Sequence, residues 1–312
     1  MPLKRNLEQH QQQFAAIAAE LGSAVNVKAF PGCSFAVVHN GELVGSQAIG
    51  QFTYDRTSPS VQPDTIFDLA SLTKIVATTA MAMILYQRGI LDLDMPVMAA
   101  MPEFYGDAAR NKVTLRHLLA HTSGLPAYVR LFETEKSREE LVLAACRTPL
   151  EAAAGERTLY SDIGFIILGE ALGRLADEQL DRFCTREIFG PLGMRNTCFN
   201  PPEKLRAEIP PTENDSSFRH RVIQGEVNDE NASVMGGVAG HAGLFSNASD
   251  LARFAVAVLH GRLVRPDTLQ VFAMPQPAQA GEARALGFDI PSPESQAGKY
   301  FSRRSLGHLG FT

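Results

Sequence analysis

Two short apolar-rich runs, GCSFAVVH and ELVGSQAIGQF, flank Asn40-Gly41 near the start of the chain. Asn-Gly favours a tight two-residue turn, so the pattern predicts an antiparallel hairpin. Before it, MPLKRNLEQHQQQFAAIAAELGSAV reads as an amphipathic helix. After it the period changes. From Ile66 to about His260 the chain is mainly helical in pattern: 71–88 is apolar all round, and 138–146, 161–175 and 249–260 carry apolar residues three and four apart. Ser249-Asp250 before LARFAVAVL reads as an N-cap. The Pro-, Gly- and polar-rich stretches 200–217 and 225–247 read as long loops, 275–298 is rich in Pro, Gln and Gly, and YFSRRSLGHLGFT reads as the approach to a strand. A strand pair, a large helical insert and a returning strand predict an α/β (α+β) fold. In it, residues 1–65 and 262–312 form a sheet domain, 66–261 a mainly helical domain, and a cleft lies between them.

Composition narrows the function classes. A chain of 312 residues with 45% hydrophobic and 20% charged residues is ordinary for a globular protein. Its net charge of −5 and pI near 5.9, without long basic runs, exclude the electrostatic footprint of a nucleic-acid binder. Cys33, Cys146, Cys184 and Cys198 form no C-x-x-C pair and no regular framework, which fits reduced thiols. No run reaches the 18 apolar residues of a membrane span, and polar QHQQQ stands where a signal peptide needs a continuous apolar region. No membrane association and a cytoplasmic location are the resulting expectations.

The candidate chemistry begins at DLASLTKIVAT, where Ser71 and Lys74 stand three apart as an apolar helix opens. On spacing alone a helix-capping serine and a solvated lysine are the simpler assignment. Three residues, however, are nearly one helical turn, so Lys74 shares a face with Ser71, and IVATTAMAMIL is apolar enough to be buried. Burial makes an ammonium lose its proton more easily, whereas a lysine that keeps its charge would lower the pKa of a neighbour. Tyr160 in TLYSDIGFIILGEAL, at the start of the next helical pattern, is the candidate neighbour.

The S-x-x-K helix, the Y-S-D turn and the terminal GHLGFT resemble, in this order, the three active-site elements of the serine β-lactamase and penicillin-binding protein superfamily. The resemblance is strongest to the class C β-lactamase-like serine hydrolases, which include family VIII esterases and D-amino-acid peptidases. LRHLLAHTSGLP, PLGMRNTCF and AGHAGLFSNASDLARF support it, and it runs from about Pro31 to Thr312. It implies a β-lactamase/transpeptidase-like fold: an antiparallel sheet flanked by helices, an all-helical domain, and the cleft between. It also implies Ser71 as the acylated nucleophile, Lys74 as its hydrogen-bonded neighbour and Tyr160 as general base, held toward phenolate by Lys74. Asp162 stands where the family commonly has Asn, and His308-Leu309-Gly310 takes the place of K-T-G on a strand lining the cleft. The backbone N–H groups of Ser71 and Phe311 would form the oxyanion hole. No cofactor and no metal are implied.

Asp162 adds a negative charge and His308 removes a permanent positive one, so the pocket is expected to disfavour an anionic carboxylate. Ester or amide hydrolysis of a small molecule therefore ranks above β-lactamase or D-Ala peptidase action. The rival of another class is a non-catalytic protein that binds peptidoglycan or a D-peptide. The family's sheet continues past this motif, so the sequence is expected to be C-terminally truncated. His117 and His121 have zincin spacing but Leu118 occupies the place of the catalytic Glu. The acidic residues of EVNDEN read as solvated, and His241, between glycines in AGHAG, is kept as a substrate-binding candidate.

Overall fold

The computed structural model describes residues 4–5, 7, 11–277, 280, 284–292 and 300–312. Parts of the predicted first helix (1–3, 6 and 8–10) and of the Pro-, Gln- and Gly-rich stretch (278–279, 281–283 and 293–298) lie outside the described residues.

Helix α1 (Ala15–Asn26) precedes the hairpin of β2 (Gly32–His39) and β3 (Glu42–Gly50), and β1 (Lys4–Arg5) pairs in parallel with Glu42–Leu43, giving the order β1-β3-β2. The β2–β3 register runs from Gly32↔Gly50 to His39↔Glu42 with one irregularity at Val37/Val38. Asn40 (φ 50°) and Gly41 (φ 78°) both take the positive φ that the predicted turn requires. A second sheet is minimal but important: β4 (Phe67–Asp68) and β5 (Cys198–Phe199) both pair with β8 (Leu244–Ser246). It ties the chain just before Ser71 to the strand that follows the AGHAG loop.

The core is helical. The stretch from Val76 to Leu85 and helix α5 (Asp162–Ala176) are buried on nearly every side, as all-round apolar helices must be. The first of these continues into α2 (Ala80–Gln87); α3 (Leu115–Leu119) and α4 (Arg138–Arg147) pack on α5, α8 (Pro266–Ala273) packs on α2, and α7 (Ala248–Leu259) packs on the β2–β3 hairpin. The predicted helices at 138–146, 161–175 and 249–260 are all present.

Three expectations are corrected. The cap of α7 is Asn247, whose side chain accepts from Asp250 N–H at 2.9 Å, so the helix starts one residue before Ser249. The 200–217 stretch is not all loop: β6 (Pro211–Asp215) and β7 (Arg221–Gln224) form a hairpin, and 225–247 contains α6 (Glu230–Val234) and β8. The hairpin lacks apolar alternation because side-chain bonds close its turn: the Asp215 carboxylate accepts from the N–H groups of Ser217, Phe218 and Arg219. Residues 308–312 form no strand; the ladder there is limited to the Asp289↔Gly307 bridge.

Candidate active site

The chain leaves β4 at Asp68 and turns sharply. Ala70 takes φ 45°, a left-handed conformation costing an L-residue about 1–2 kcal/mol, and its N–H is met by Asp68 Oδ1 at 2.8 Å. One 3₁₀ turn (Ala70–Leu72) then carries Ser71, and Lys74–Thr79 wind as a π-helix before α2 begins. Single π turns within helices are enriched at functional sites.

Lys74 is wholly buried. Its Nζ donates to Ser71 Oγ at 2.9 Å and to the His241 carbonyl at 3.1 Å, and pairs with Asp162 Oδ1 at 2.7 Å. Three N–H groups thus meet three oxygens, the complement an ammonium needs. The His241 carbonyl can come this close because Gly240 lies against Gly169 of α5: a Cβ on Gly240 would sit 2.1 Å from the Phe165 carbonyl. Thr78 Oγ1 donates to Gly240 O at 2.6 Å and locks the same loop. His241 therefore enters the site through its main chain; its ring is buried, with Nε2 2.8 Å from Asp229 Oδ1.

The electrostatics reverse one expectation. Burial pulls the Lys74 pKa down, but Asp162 and then Tyr160 outweigh it, and the net shift is upward. Lys74 is held as an ammonium. Tyr160 is also raised: burial is the largest cause, and although Lys74 lowers it, Asp162 raises it further. The predicted phenolate character is not retained at rest, because burial, with Asp162 adding to it, outweighs the lysine's pull.

Tyr160 is boxed in by His121, which the sequence offered only for its zincin spacing from His117, and by Arg284, which it did not single out. His121 stacks on its ring at 4.5 Å and 27°, and the guanidinium of Arg284 lies 5.1 Å from the ring centroid, with Lys74 Nζ at 4.9 Å. His121 is buried and held neutral, its pKa driven well below the usual value by burial and then by Arg284 and Lys74. Its Nδ1 accepts from Ser161 N–H at 2.9 Å, and its carbonyl accepts from Leu159 N–H at 2.8 Å, so the HTSG turn clamps both flanks of Tyr160. Ser161 caps α5 through Gly164 N–H, which sends Asp162 inward at the first helical position. Arg284 pairs with Asp289. His117, in contrast, closes a capping box with Thr114, and among the described residues no cluster of His, Cys, Asp or Glu could hold a metal ion.

The other wall is the segment around His308, whose ring centroid is 5.8 Å from that of Tyr160. Its Nδ1 lies 2.6 Å from the Leu309 carbonyl, and burial, opposed by Asp289 and aided by Lys74, lowers its pKa to about 4. His308 is thus neutral at pH 7. Gly310 packs directly on the Ser71 turn: a Cβ there would meet the Leu69 carbonyl at 2.7 Å. Leu309 and Phe311 expose their side chains, at 56% and 89%, while the main chain of 310–312 runs beside residues 68–72 and Thr312 Oγ1 donates to Asp68 O at 3.4 Å. The acidic loop is not simply solvated: Asp229 holds His241, Glu230 accepts from Tyr128 Oη at 3.2 Å, and Glu226 pairs with Arg221.

A serine and a buried lysine one turn apart, with a tyrosine beside the ammonium and a glycine-bearing segment packed on the serine turn, define a serine hydrolase built on the β-lactamase/transpeptidase-like fold. The Beta-lactamase family model matches residues 5–312, and the chain belongs to that family. It is 32% identical to the N-acetylmuramyl-L-alanine amidase of Bacillus subtilis (strain 168), over 91% of this chain and 73% of that protein. It is 30% identical to the putative D-alanyl-D-alanine carboxypeptidase of Escherichia coli (strain K12), over 91% of this chain and 74% of the relative. The solved structure of EstCE1, a hydrolase with promiscuous acyltransferase activity, superposes with TM-score 0.78 at 20% identity, covering 97% of this chain and 89% of that one. No helix among the described residues is long and apolar enough to cross a membrane.

Proposed function

We propose that the chain cleaves an ester or amide bond through an acyl-enzyme at Ser71. The observation that carries this reading is the 2.9 Å bond from buried Lys74 to Ser71 Oγ, with the ammonium fixed by Asp162 and a carbonyl. A capping serine needs no such partner. Lys74 acts as a fixed cation that stabilises charge developing on Ser71 Oγ as it attacks the carbonyl carbon. Tyr160, a neutral phenol at rest, both accepts and donates. It takes the Ser71 proton as its own passes to the departing oxygen or nitrogen, leaving the acyl group on Ser71 and the leaving group protonated. Water then enters by the reverse relay and frees the acid. The N–H groups of Ser71 and Phe311 are the proposed oxyanion donors, and Leu309, Gly310 and His308 the substrate-facing main chain and ring.

The substrate reading divides on charge. Neutral His308 and anionic Asp162 favour an uncharged ester or amide. Arg284, a permanent cation beside Tyr160, favours a second reading, amide cleavage next to a carboxylate, in keeping with the amidase and carboxypeptidase names of the two relatives. The four unpaired thiols fit a cytoplasmic location. Intact-mass detection of a fluorophosphonate adduct, with turnover of p-nitrophenyl butyrate and of a D-Ala-D-Ala peptide, tests the proposal. An adduct lost in Ser71→Ala is expected; labelling that persists in that variant would exclude Ser71.

A further inference from the structure

The nucleophile and its lysine are each held by a separate loop, and one buried carboxylate joins the two. Asp68 is 6% exposed. Its Oδ1 accepts from Ala70 N–H at 2.8 Å, inside the left-handed turn that presents Ser71, and its Oδ2 accepts from Asn228 N–H at 2.7 Å. The residue after Asn228 is Asp229, which fixes the His241 ring at 2.8 Å, and the carbonyl of His241 holds Lys74 Nζ at 3.1 Å. From behind, Arg219 of the β6–β7 hairpin braces the same loop, donating to the carbonyls of Val227 at 2.7 Å and Asn228 at 2.5 Å while bound to Asp215.

We infer that Asp68 is a positioning residue, a two-ended clasp that sets the distance between the Ser71 turn and the loop that anchors Lys74. The inference rests on Ser71 being the nucleophile. The ionised carboxylate serves both ends best: protonation puts an O–H on one oxygen and leaves it a much weaker acceptor for the N–H it faces. Asn at this position has the same defect permanently. Burial raises the Asp68 pKa to about 6, with Asp229 adding to the rise and the two backbone donors and Arg219 opposing it. These are the charged groups that face it; β8, packed alongside, presents only Leu244, Phe245 and Ser246. The clasp therefore opens on the acid side of neutrality.

The test is the rate of fluorophosphonate labelling at Ser71, read by intact mass between pH 5 and 8.5, with p-nitrophenyl butyrate turnover alongside. Wild type should lose rate below about pH 6. Asp68→Asn should label about 10- to 100-fold more slowly at pH 7.5, the scale on which small misplacement acts, and its rate should be flat across the acid range. Arg219→Gln keeps Asp68 but removes both the brace behind the Asn228 loop and a cation that favours the ionised carboxylate, so its acid limb should move to higher pH. A wild-type rate in Asp68→Asn, or an acid limb retained there, overturns the inference. If Asp68→Asn fails to give a cooperative melt, an unmoved limb in Arg219→Gln overturns it instead. Wild type that forms no Ser71-dependent adduct overturns the nucleophile reading itself, a distinct result.

Discussion

Around the site, Ser71 and His308 stand on walls made in different ways. On the Ser71 wall the polar groups are buried and held on several sides: Lys74 by three oxygens, Asp68 by two N–H groups, and the AGHAG loop by the contact of Gly240 with α5. On the His308 wall the side chains at 309 and 311 face outward, and what touches the Ser71 turn is main chain, at Gly310. The first wall specifies residue types. The second specifies the path of the backbone.

Substitutions should separate the two. The largest effect is expected from Lys74→Met, which strips the charge from the first wall and leaves Asp162 facing an apolar group. Turnover should fall by at least about 10³-fold and stability by about 3–5 kcal/mol, read by kcat and denaturant melts. Next comes Gly310→Ala. The added carbon collides with the Leu69 carbonyl, so the second wall must back away, and kcat should drop about tenfold with little change in stability. Asp162→Asn keeps the side-chain shape but removes a charge that raises both Lys74 and Tyr160. Both pKa values should therefore fall, moving the alkaline limb of the pH–rate profile toward neutrality; a limb that moves upward or stays would contradict the electrostatic account. The smallest effect belongs to Phe311→Ala, within about twofold in kcat, since the proposed donor is the N–H and the ring is exposed.

Asp68 adds a stability signature of its own. Its folded pKa is raised from 3.8 to about 6, so the stability it contributes is present below pH 3.8 and is lost as pH rises through 6. Two units correspond to about 3 kcal/mol between pH 3.5 and 7.5. Asp68→Asn should lack that dependence, so its stability relative to wild type should rise over this interval in melts taken at both pH values.

The legible parts of the sequence were those governed by local rules. Asn40-Gly41 fixed a turn because few residues accept two positive φ angles, whereas Ser71, Lys74 and Tyr160 became candidates only through the order of three motifs, spacing alone favouring a cap and a solvated lysine. Asp68, His121 and Arg284 did not, because each acts through partners distant in sequence: Asn228, Tyr160 and Asp289 with Tyr160. The direction of the Lys74 shift was likewise hidden. Burial could be read from IVATTAMAMIL, but the carboxylate that outweighs it could be placed beside the lysine only once α5 had been packed.

The carbonyl of His241 has a consequence for how this site tolerates change. The loop serves Lys74 with a main-chain oxygen, positioned by the contact of Gly240 with α5 and by the bond of the buried His241 ring to Asp229, so what matters for that oxygen is the path of the loop. A single inserted or deleted residue between Ala239 and Gly243 would shift it by about 3.8 Å, more than the length of the bond it makes. Here loop length, as much as the glycine at 240 and the histidine at 241, is the inherited quantity that a designer should hold fixed.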